Sequence, residues 1–368
     1  MNERELLAAL ALQKAKGIGD ILSKKLIVQC GGAEAVFKTK PSVLSKISQV
    51  GTQTLRFLQD TSLFHIAEKE LKKAQSENLS LLYFLNENYP EKLKHCIDGP
   101  LILFQDGAVN LNNNRIISIV GTRQMTLYGR DIIQKLVSEL KEYNPIIISG
   151  FAYGVDITAQ KAALENKLQT IGVLAHGFGQ IYPKAHKKYV HQINEQGGFL
   201  SEFWFDDPPN REHFLQRNRV VAGISDATII IESGEKGGSL VTADIANSYN
   251  RDVFAVPGKI TDGLSAGCNA LISSNKAALL TSANDIVRAL NWDIPNKESN
   301  LKQPTLFLDL TSEEQAVFDH LLINGKQHID TLSLKLQMPI FKLSSTLFNL
   351  EMKGVVRALQ GKLFEASN

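Results

Sequence analysis

Apolar and polar residues follow one another along the chain in three different rhythms. From 1 to 95 the apolar positions return at helical spacing between glycine turns. Gly17-Ile18-Gly19 separates the run 6–12 from Ile21, Leu22, Leu26 and Ile27, and a weaker echo, Val50-Gly51-Thr52, separates Leu44 and Ile47 from Leu55 and Leu58. This predicts short helices joined as hairpins. The pattern fits a helix-hairpin-helix, whose second helix offers backbone N–H groups to a phosphate, and equally a plain αα-hairpin whose glycines permit a tight turn.

The middle of the chain reads differently. Short β-branched runs at 116–120, 146–148, 170–174, 199–200, 227–231 and 253–256 are mostly followed by periodic stretches such as 129–141 and 156–166. Strands that are apolar throughout and alternate with helices predict an α/β domain, a Rossmann-like parallel sheet covered on both faces. About 292–310 the chain is polar with two prolines, the pattern of a linker. Thr311, with Glu313 and Glu314 in the following turn, then starts a helix. Two more helical stretches and the hairpin-like VVRALQGKLFEA complete the outline of a winged helix. The expected organisation is a helical domain over 1–78, the sheet domain over 79–291, a linker over 292–310 and a winged helix over 311–368.

Composition narrows the partners without naming one. The chain has 368 residues, 43% hydrophobic and 21% charged, and its 40 basic and 38 acidic side chains leave a formal charge of +2. That excludes a polycation that holds its partner by bulk charge. Resolved by segment, 1–95, 96–295 and 296–368 carry +4, −2 and 0, so any anion site must be made by local placement. The start, MNERELLAALALQKAKG, is charged at once and does not read as a signal peptide. No stretch approaches the ~18–20 uninterrupted apolar residues of a membrane helix. Cys30, Cys96 and Cys268 form no CxxC pair, metal spacing or disulfide framework, and a reducing cytoplasm is the expectation.

The candidate chemistry lies in the turns after the strands. In an open parallel sheet, ligands sit beyond the carboxyl ends of the strands, where turns lead into helices. Five predicted strands end in glycine turns: Gly121-Thr122-Arg123, 149–156, 175–179, 232–239 and Pro257-Gly258. Together they predict one rim of backbone N–H donors suited to phosphate oxygens. Each glycine alone needs no more than a sharp turn. Interleaved cations, Arg123, Lys184, Lys187, Lys188, Arg217 and Arg219, tilt the rim towards anions. GxxxxGK[ST], GxSxG and HExxH are absent, and 177–182 matches GxGxxG only in its first two glycines. Asp156 and Glu232 stand at strand ends, either as a base or as hydrogen-bonded turn residues. No convincing catalytic set emerges.

The stretches SIVGTRQMTLYG, IISGFAYGVDITAQKAAL, IGVLAHGFGQIYPKAHKK, HFLQRNRVVAGISDATIIIESGEKGGSLVTADIA, FAVPG and GCNALI resemble, in order and spacing, the DNA-processing protein A family (DprA, also called Smf) over roughly 80–290. The resemblance implies a bacterial cytoplasmic protein, not an enzyme and without a cofactor. It would bind single-stranded DNA, help load RecA during recombination and natural transformation, and form a homodimer through its Rossmann-like domain. The implied DNA pocket comprises Gly121, Arg123, Ser149, Gly150, Lys184, Arg217, Asn218, Arg219, Gly238 and Ser239. The chain departs from the family pattern at Ala175-His176-Gly177-Phe178, which could alter the pocket wall, and at Leu215-Gln216 before the RNR.

Tyr182 and Phe178 are candidates for stacking on bases, or else core aromatics. The expected recognition helix, 339–354, offers only Lys342 and Lys353 against Glu351, which points to protein contact or an auxiliary role rather than groove reading. The competing reading is a nucleotide or nucleoside-phosphate hydrolase of the LOG type. Those enzymes use a PGGxGT turn, where this chain has ESGEKGGS.

Overall fold

Asn2 accepts a hydrogen bond from the Arg4 N–H and so starts helix α1 (Glu3–Lys14). The Gly17-Ile18-Gly19 turn then leads into α2 (Asp20–Cys30), with Gly17 in the left-handed region at φ 73°. The second glycine turn precedes a short helix at Thr52–Leu58, and α3 (Ser62–Ser76) packs back along α1. The computed structural model describes residues 2–107, 111–112, 115–292, 310–359 and 362–366.

The apolar runs become strands because both faces of the sheet are covered. Nine strands, β1 (Ser80–Tyr83), β2 (Ile102–Gly107), β3 (Ile116–Val120), β4 (Ile146–Ser149), β5 (Thr170–Val173), β6 (Gly198–Ser201), β7 (Ala227–Ile230), β8 (Asp252–Ala255) and β9 (Ala278–Leu279), take the order β1-β2-β6-β5-β4-β3-β7-β8-β9. All pairs from β6 to β9 are parallel. The β1–β2 and β2–β6 pairs are antiparallel, a two-stranded extension that the strand runs in the sequence did not reveal. The tiny β9 escaped notice for the same reason.

Successive strand side chains alternate between two cores. Ile117, Ile119, Ile147 and Ile229 meet α4 (Leu127–Leu140) and α5 (Val155–Glu165). Ile116, Val120, Ile148 and Ile230 meet α6 (Arg211–Ile224) and α7 (Gly238–Ser248) on the other face. One hydroxyl pair, Ser118 donating to Thr228 at 2.8 Å, crosses from β3 to β7 inside the sheet.

The second core continues without a break into α1, α2 and α3, so the helical segment and the sheet share one compact unit, Met1–Pro295. Polar contacts fix the join. The Asp20 carboxylate accepts from the Leu101 N–H at 2.8 Å, and Glu70 accepts from the Phe205 N–H at 2.7 Å. The Trp204 indole donates to Gln13 at 3.0 Å, with the Lys14 ammonium 4.6 Å above the ring. Trp292, at the start of the expected linker, is instead buried beside Tyr143. The rest of that expected linker, 293–309, lies outside the described residues. Among the described residues no helix is long and apolar enough to cross a membrane.

The second unit is Asn296–Asn368. Thr311 and Glu314 form the expected capping box at the start of α8 (Ser312–Asn324). With α9 (Ile329–Leu336), α10 (Ile340–Met352) and the small sheet β10 (Gln327–His328), β11 (Val356–Leu359) and β12 (Leu363–Ala366), in the order β10-β12-β11, it makes a winged helix around Val317, Leu321, Leu332, Leu343, Leu347 and Leu350.

Candidate nucleic-acid interface

Strand β3 is where the chain changes direction across the sheet. From it the order runs through β4 and β5 to one side and through β7 and β8 to the other. The turns after β3 and β7 therefore diverge and leave a crevice, the place where open α/β sheets bind ligands. Here the crevice is a cavity of about 690 Å³, within the range of small-ligand sites. Gly121, Thr122 and Arg123 line it from β3, Gly150 and Ala152 from β4, and Ser233, Gly234, Gly237, Gly238 and Ser239 from β7. Tyr182 after β5 and the N-terminal part of α6 with the residues just before it supply much of the remaining wall.

Each turn is held by its own hydrogen bonds. The Thr122 N–H donates to the Glu232 carbonyl at 2.8 Å, tying the β3 turn to the β7 turn. The Glu232 carboxylate is buried and accepts from the Thr126 N–H at 2.9 Å and the Thr126 hydroxyl at 2.5 Å. It is a turn residue and not a free base. On the β7 side the Ser239 hydroxyl donates to Ser233 at 2.9 Å. Gly237 stands at the N-cap of α7 without a side chain to offer, and the space next to Gly238 is open. The Leu240 N–H donates to the Gly237 carbonyl at 3.1 Å, which leaves the N–H groups of Gly238 and Ser239 for an anion.

At the floor of the cavity, Arg217 and Asp156 converge on Gly150. A Cβ at Gly150 would overlap both the carboxylate and the guanidinium, so a larger residue there would have to push both side chains from their places. Arg217 is buried and donates to the Val173 carbonyl and to the Asn218 side chain. Burial lowers its pKa, with Asp156 pulling the other way. Burial raises the Asp156 carboxyl, opposed by Arg217 and by the Ala152 N–H at 3.2 Å. At the rim the Arg123 guanidinium lies 4.8 Å over the Phe214 ring, and Tyr182 meets Phe214 edge-on at 5.9 Å. The charged lining is three arginines, Arg123, Arg211 and Arg217, against the single carboxylate of Asp156. A cationic site thus sits inside a net-acidic segment.

Of the ten residues expected at the pocket, seven line the cavity: Gly121, Arg123, Gly150, Arg217, Asn218, Gly238 and Ser239. Three do not. Ser149 is fully buried and spends its hydroxyl on the Ile119 carbonyl at 2.7 Å. Arg219 turns to the opposite side of α6, because residues two apart on a helix face away from each other. There it pairs with Asp20 at 2.9 Å and with Glu202 in the join to α2. Lys184 is exposed outside the cavity, at the start of the 3₁₀ turn Lys184–Tyr189.

The five-turn rim also contracts to three. A Cβ at Gly177 would strike the Trp204 and Phe205 carbonyls, and one at Gly258 would strike Ser265, so these glycines serve close packing. Tyr182 lines the cavity, whereas Phe178 packs into the core. Asn210, Arg211 and Phe214 are pocket residues the sequence did not single out. Their signal was the capping pattern of α6, in which Asn210 accepts from the His213 N–H at 2.8 Å and so aims the helix's first turn at the sheet edge.

Ile18 and Gly19 of the first glycine turn line a separate cleft with Asp20, Glu202 and Asp207, where Lys14 is already paired with Asp207, an acidic surrounding for a phosphate. The histidines His176 and His186 are buried, bonded through Nδ1 to the Gly177 carbonyl at 2.8 Å and to the Phe151 carbonyl at 3.1 Å, and are lowered in pKa by that burial. Among the described residues no group of three or more His, Cys, Asp or Glu could hold a metal ion.

On α10, Lys342 pairs with Glu313 at 2.5 Å, and at its C-cap Lys353 pairs with Glu314 at 2.7 Å. Phe341, Phe348 and Met352 are exposed on the same helix.

Comparison with known proteins agrees with this architecture. The family described as DNA recombination-mediator protein A matches residues 80–291, and the DprA winged helix domain matches 302–362. The DNA processing protein DprA of Streptococcus pneumoniae is 36% identical over 224 residues, which cover 61% of this chain and 78% of its own. The X-ray structure of the Streptococcus pneumoniae DprA superposes with a TM-score of 0.66 at 29% identity, covering 78% of this chain and 98% of that one. A Helicobacter pylori DprA structure, described as giving insight into a unique single-stranded DNA binding mode, reaches a TM-score of 0.52 at 31% identity, over 58% of this chain and 95% of that one.

Proposed function

This chain belongs to the DNA recombination-mediator protein A (DprA/Smf) family, and from that premise we propose that its switch-point cavity binds single-stranded DNA. The observation that carries the reading is the composition of the cavity wall. Arg123 and Arg217 lie over the Phe214 ring and Arg211 lines the same wall, with a helix N-terminus that no side chain caps also in the lining. Arginine forks and turn N–H groups suit phosphate oxygens. Phe214 and Tyr182 suit the faces of bases, which are accessible only when unpaired. Contacts of this kind give affinity that falls steeply with salt and carries little sequence information. The single-stranded DNA binding described for the Helicobacter pylori relative supports the same reading.

The chain acts as a binding protein rather than an enzyme. It holds exposed or incoming strands in the cytoplasm and passes them to RecA in recombination and natural transformation. It does so as a homodimer joined through the sheet domain. Lys184 extends the cationic track outside the cavity. The winged helix meets a protein partner, because both lysines of α10 are already engaged by Glu313 and Glu314.

Fluorescence anisotropy with an oligothymidylate and with a duplex of equal length tests the core of this proposal. The expected result is tighter binding of the single strand, weakened about tenfold by Arg123→Ala, in keeping with the loss of one charge-assisted contact. Equal or tighter duplex binding, or indifference to Arg123→Ala, refutes it. Turnover of nucleoside monophosphates would favour the hydrolase reading instead.

A further inference from the structure

Beside the cavity, and not part of its lining, stands an exposed tyrosine. Tyr153 sits in the turn between β4 and α5 and is 48% exposed. Its position is tightly defined. Gly154, at φ 75°, lies so close to the backbone of Thr122 and Arg123 that a Cβ there would collide with it. The Tyr153 turn is therefore clamped against the Arg123 turn. On its other side the ring meets His186 edge-to-face at 4.9 Å and 72°, a contact that leaves at least one face of the tyrosine open.

His186 is itself buried and fixed by the Phe151 carbonyl at 3.1 Å, so the prop is rigid. It belongs to the turn Lys184–Tyr189, which carries Lys184, Lys187 and Lys188, all exposed. Lys188 lies 5.1 Å over the Tyr189 ring. The Arg123 turn, the propped aromatic and the lysine-bearing turn are thus joined by two contacts, Gly154 against Arg123 and Tyr153 against His186, while Lys187 lines a separate groove with Glu195.

We propose that Tyr153 is a second stacking station for single-stranded DNA. A base just outside the cavity, on the β4–β5 side, stacks on the tyrosine, and Lys184 and Lys188 take the phosphates that flank it. The inference rests on the reading of the cavity as a single-strand site and adds to it a direction in which the strand leaves. An aromatic face with clustered cations is the combination that tracks a single strand without reading its sequence. The station engages only strands long enough to emerge from the cavity, so its effect depends on length.

The test uses the full chain and oligothymidylates of about 4 and about 20 nucleotides, with 2-aminopurine replacing single bases in turn, a range spanning common single-strand site sizes. Tyr153→Ala should weaken binding of the longer strand about tenfold, the factor carried by one stacked base, and leave the shorter strand unaffected. At one position along the strand, 2-aminopurine fluorescence should be quenched by the wild type and by Tyr153→Phe but not by Tyr153→Ala. Thermal melting of each variant controls for folding.

Wild-type affinity and quenching in Tyr153→Ala would overturn the station. If Arg123→Ala still weakens binding in that case, the cavity reading stands and only this inference fails. If the wild type binds neither strand, both fail together. A loss in Tyr153→Ala that is equal for short and long strands would place the tyrosine in the cavity itself and also overturn the proposal.

Discussion

Replacing Arg219 with alanine separates the two arginines of the RNR motif. Arg219 is buried and its guanidinium is shared between Asp20 of α2 and Glu202 after β6. Glu202 is itself almost wholly inaccessible, and one of its oxygens, Oε1, has no hydrogen-bond partner. Removing the guanidinium leaves the buried Glu202 carboxylate with only the Gln216 amide, at 2.7 Å, as its side-chain partner, and loss of one member of a buried pair costs about 3–5 kcal/mol. For a unit of this size each kcal/mol lowers Tm by about 2–4 °C, so a fall of about 10 °C is expected by calorimetry or circular dichroism.

The deficit should depend on pH with a defined sign. Burial already raises the Glu202 pKa, and Arg219 opposes that rise. Without Arg219 the folded-state pKa climbs further above the unfolded value. Such a group adds stability below the unfolded pKa and loses it as pH rises through the folded one. Arg219→Ala should therefore lie closest to wild type in mild acid and fall furthest behind above neutrality. Adding Glu202→Gln should recover part of the loss. Affinity for single-stranded DNA, measured at a temperature where both proteins are folded, should change by less than about threefold, since Arg219 does not line the cavity. A variant as stable as wild type that no longer binds DNA would refute this partition.

Gly150→Ala places a methyl where Asp156 and Arg217 converge and should destabilise by about 1–3 kcal/mol, as overpacking does, while weakening single-strand binding; unchanged chemical denaturation would show that the floor of the cavity yields freely. Lys342→Ala with Lys353→Ala should leave duplex affinity unchanged in anisotropy, because both charges are engaged by acids of α8, and a marked loss would instead give α10 a role on DNA. Cys268 is buried and its thiol is pushed up to about 12 by that burial, and Cys96 is raised for the same reason. With a chromogenic disulfide at pH 8, Cys30 should therefore react first and the other two only on unfolding; three equally fast thiols would contradict the burial of this core.

The parallel strands were legible because each is apolar on consecutive positions, which only a sheet covered on both faces requires. β1 and β2 were not, since only the four-residue helix Glu91–Lys94 separates LLYF from LILF, and β2 joins the sheet through an antiparallel pairing with β6, remote in sequence. The site was legible in its glycine turns but not in their division of labour. Gly121 and Gly177 look alike in sequence, and it is the position of Trp204 and Phe205 that consigns Gly177 to packing. The two arginines of the RNR are likewise indistinguishable until Asp20, 199 residues away, is seen beside one of them. Ser149 follows a strand as a pocket serine would, yet its hydroxyl faces a neighbouring strand's carbonyl.

The hydroxyl pair between β3 and β7 spans 110 residues of sequence. During synthesis at about 5–20 residues per second, β7 leaves the ribosome roughly 5–20 s after β3. Once β4 has emerged, β3 has it on one side and, until β7 follows, an unfilled apolar edge on the other. The cavity does not exist until the interval ends, because half its wall follows β7. The growing chain thus carries an open sheet edge before it has any means of holding a strand of DNA. Chaperone occupancy on stalled nascent chains should peak between the emergence of β3 and that of β7, and disappear once α7 is complete.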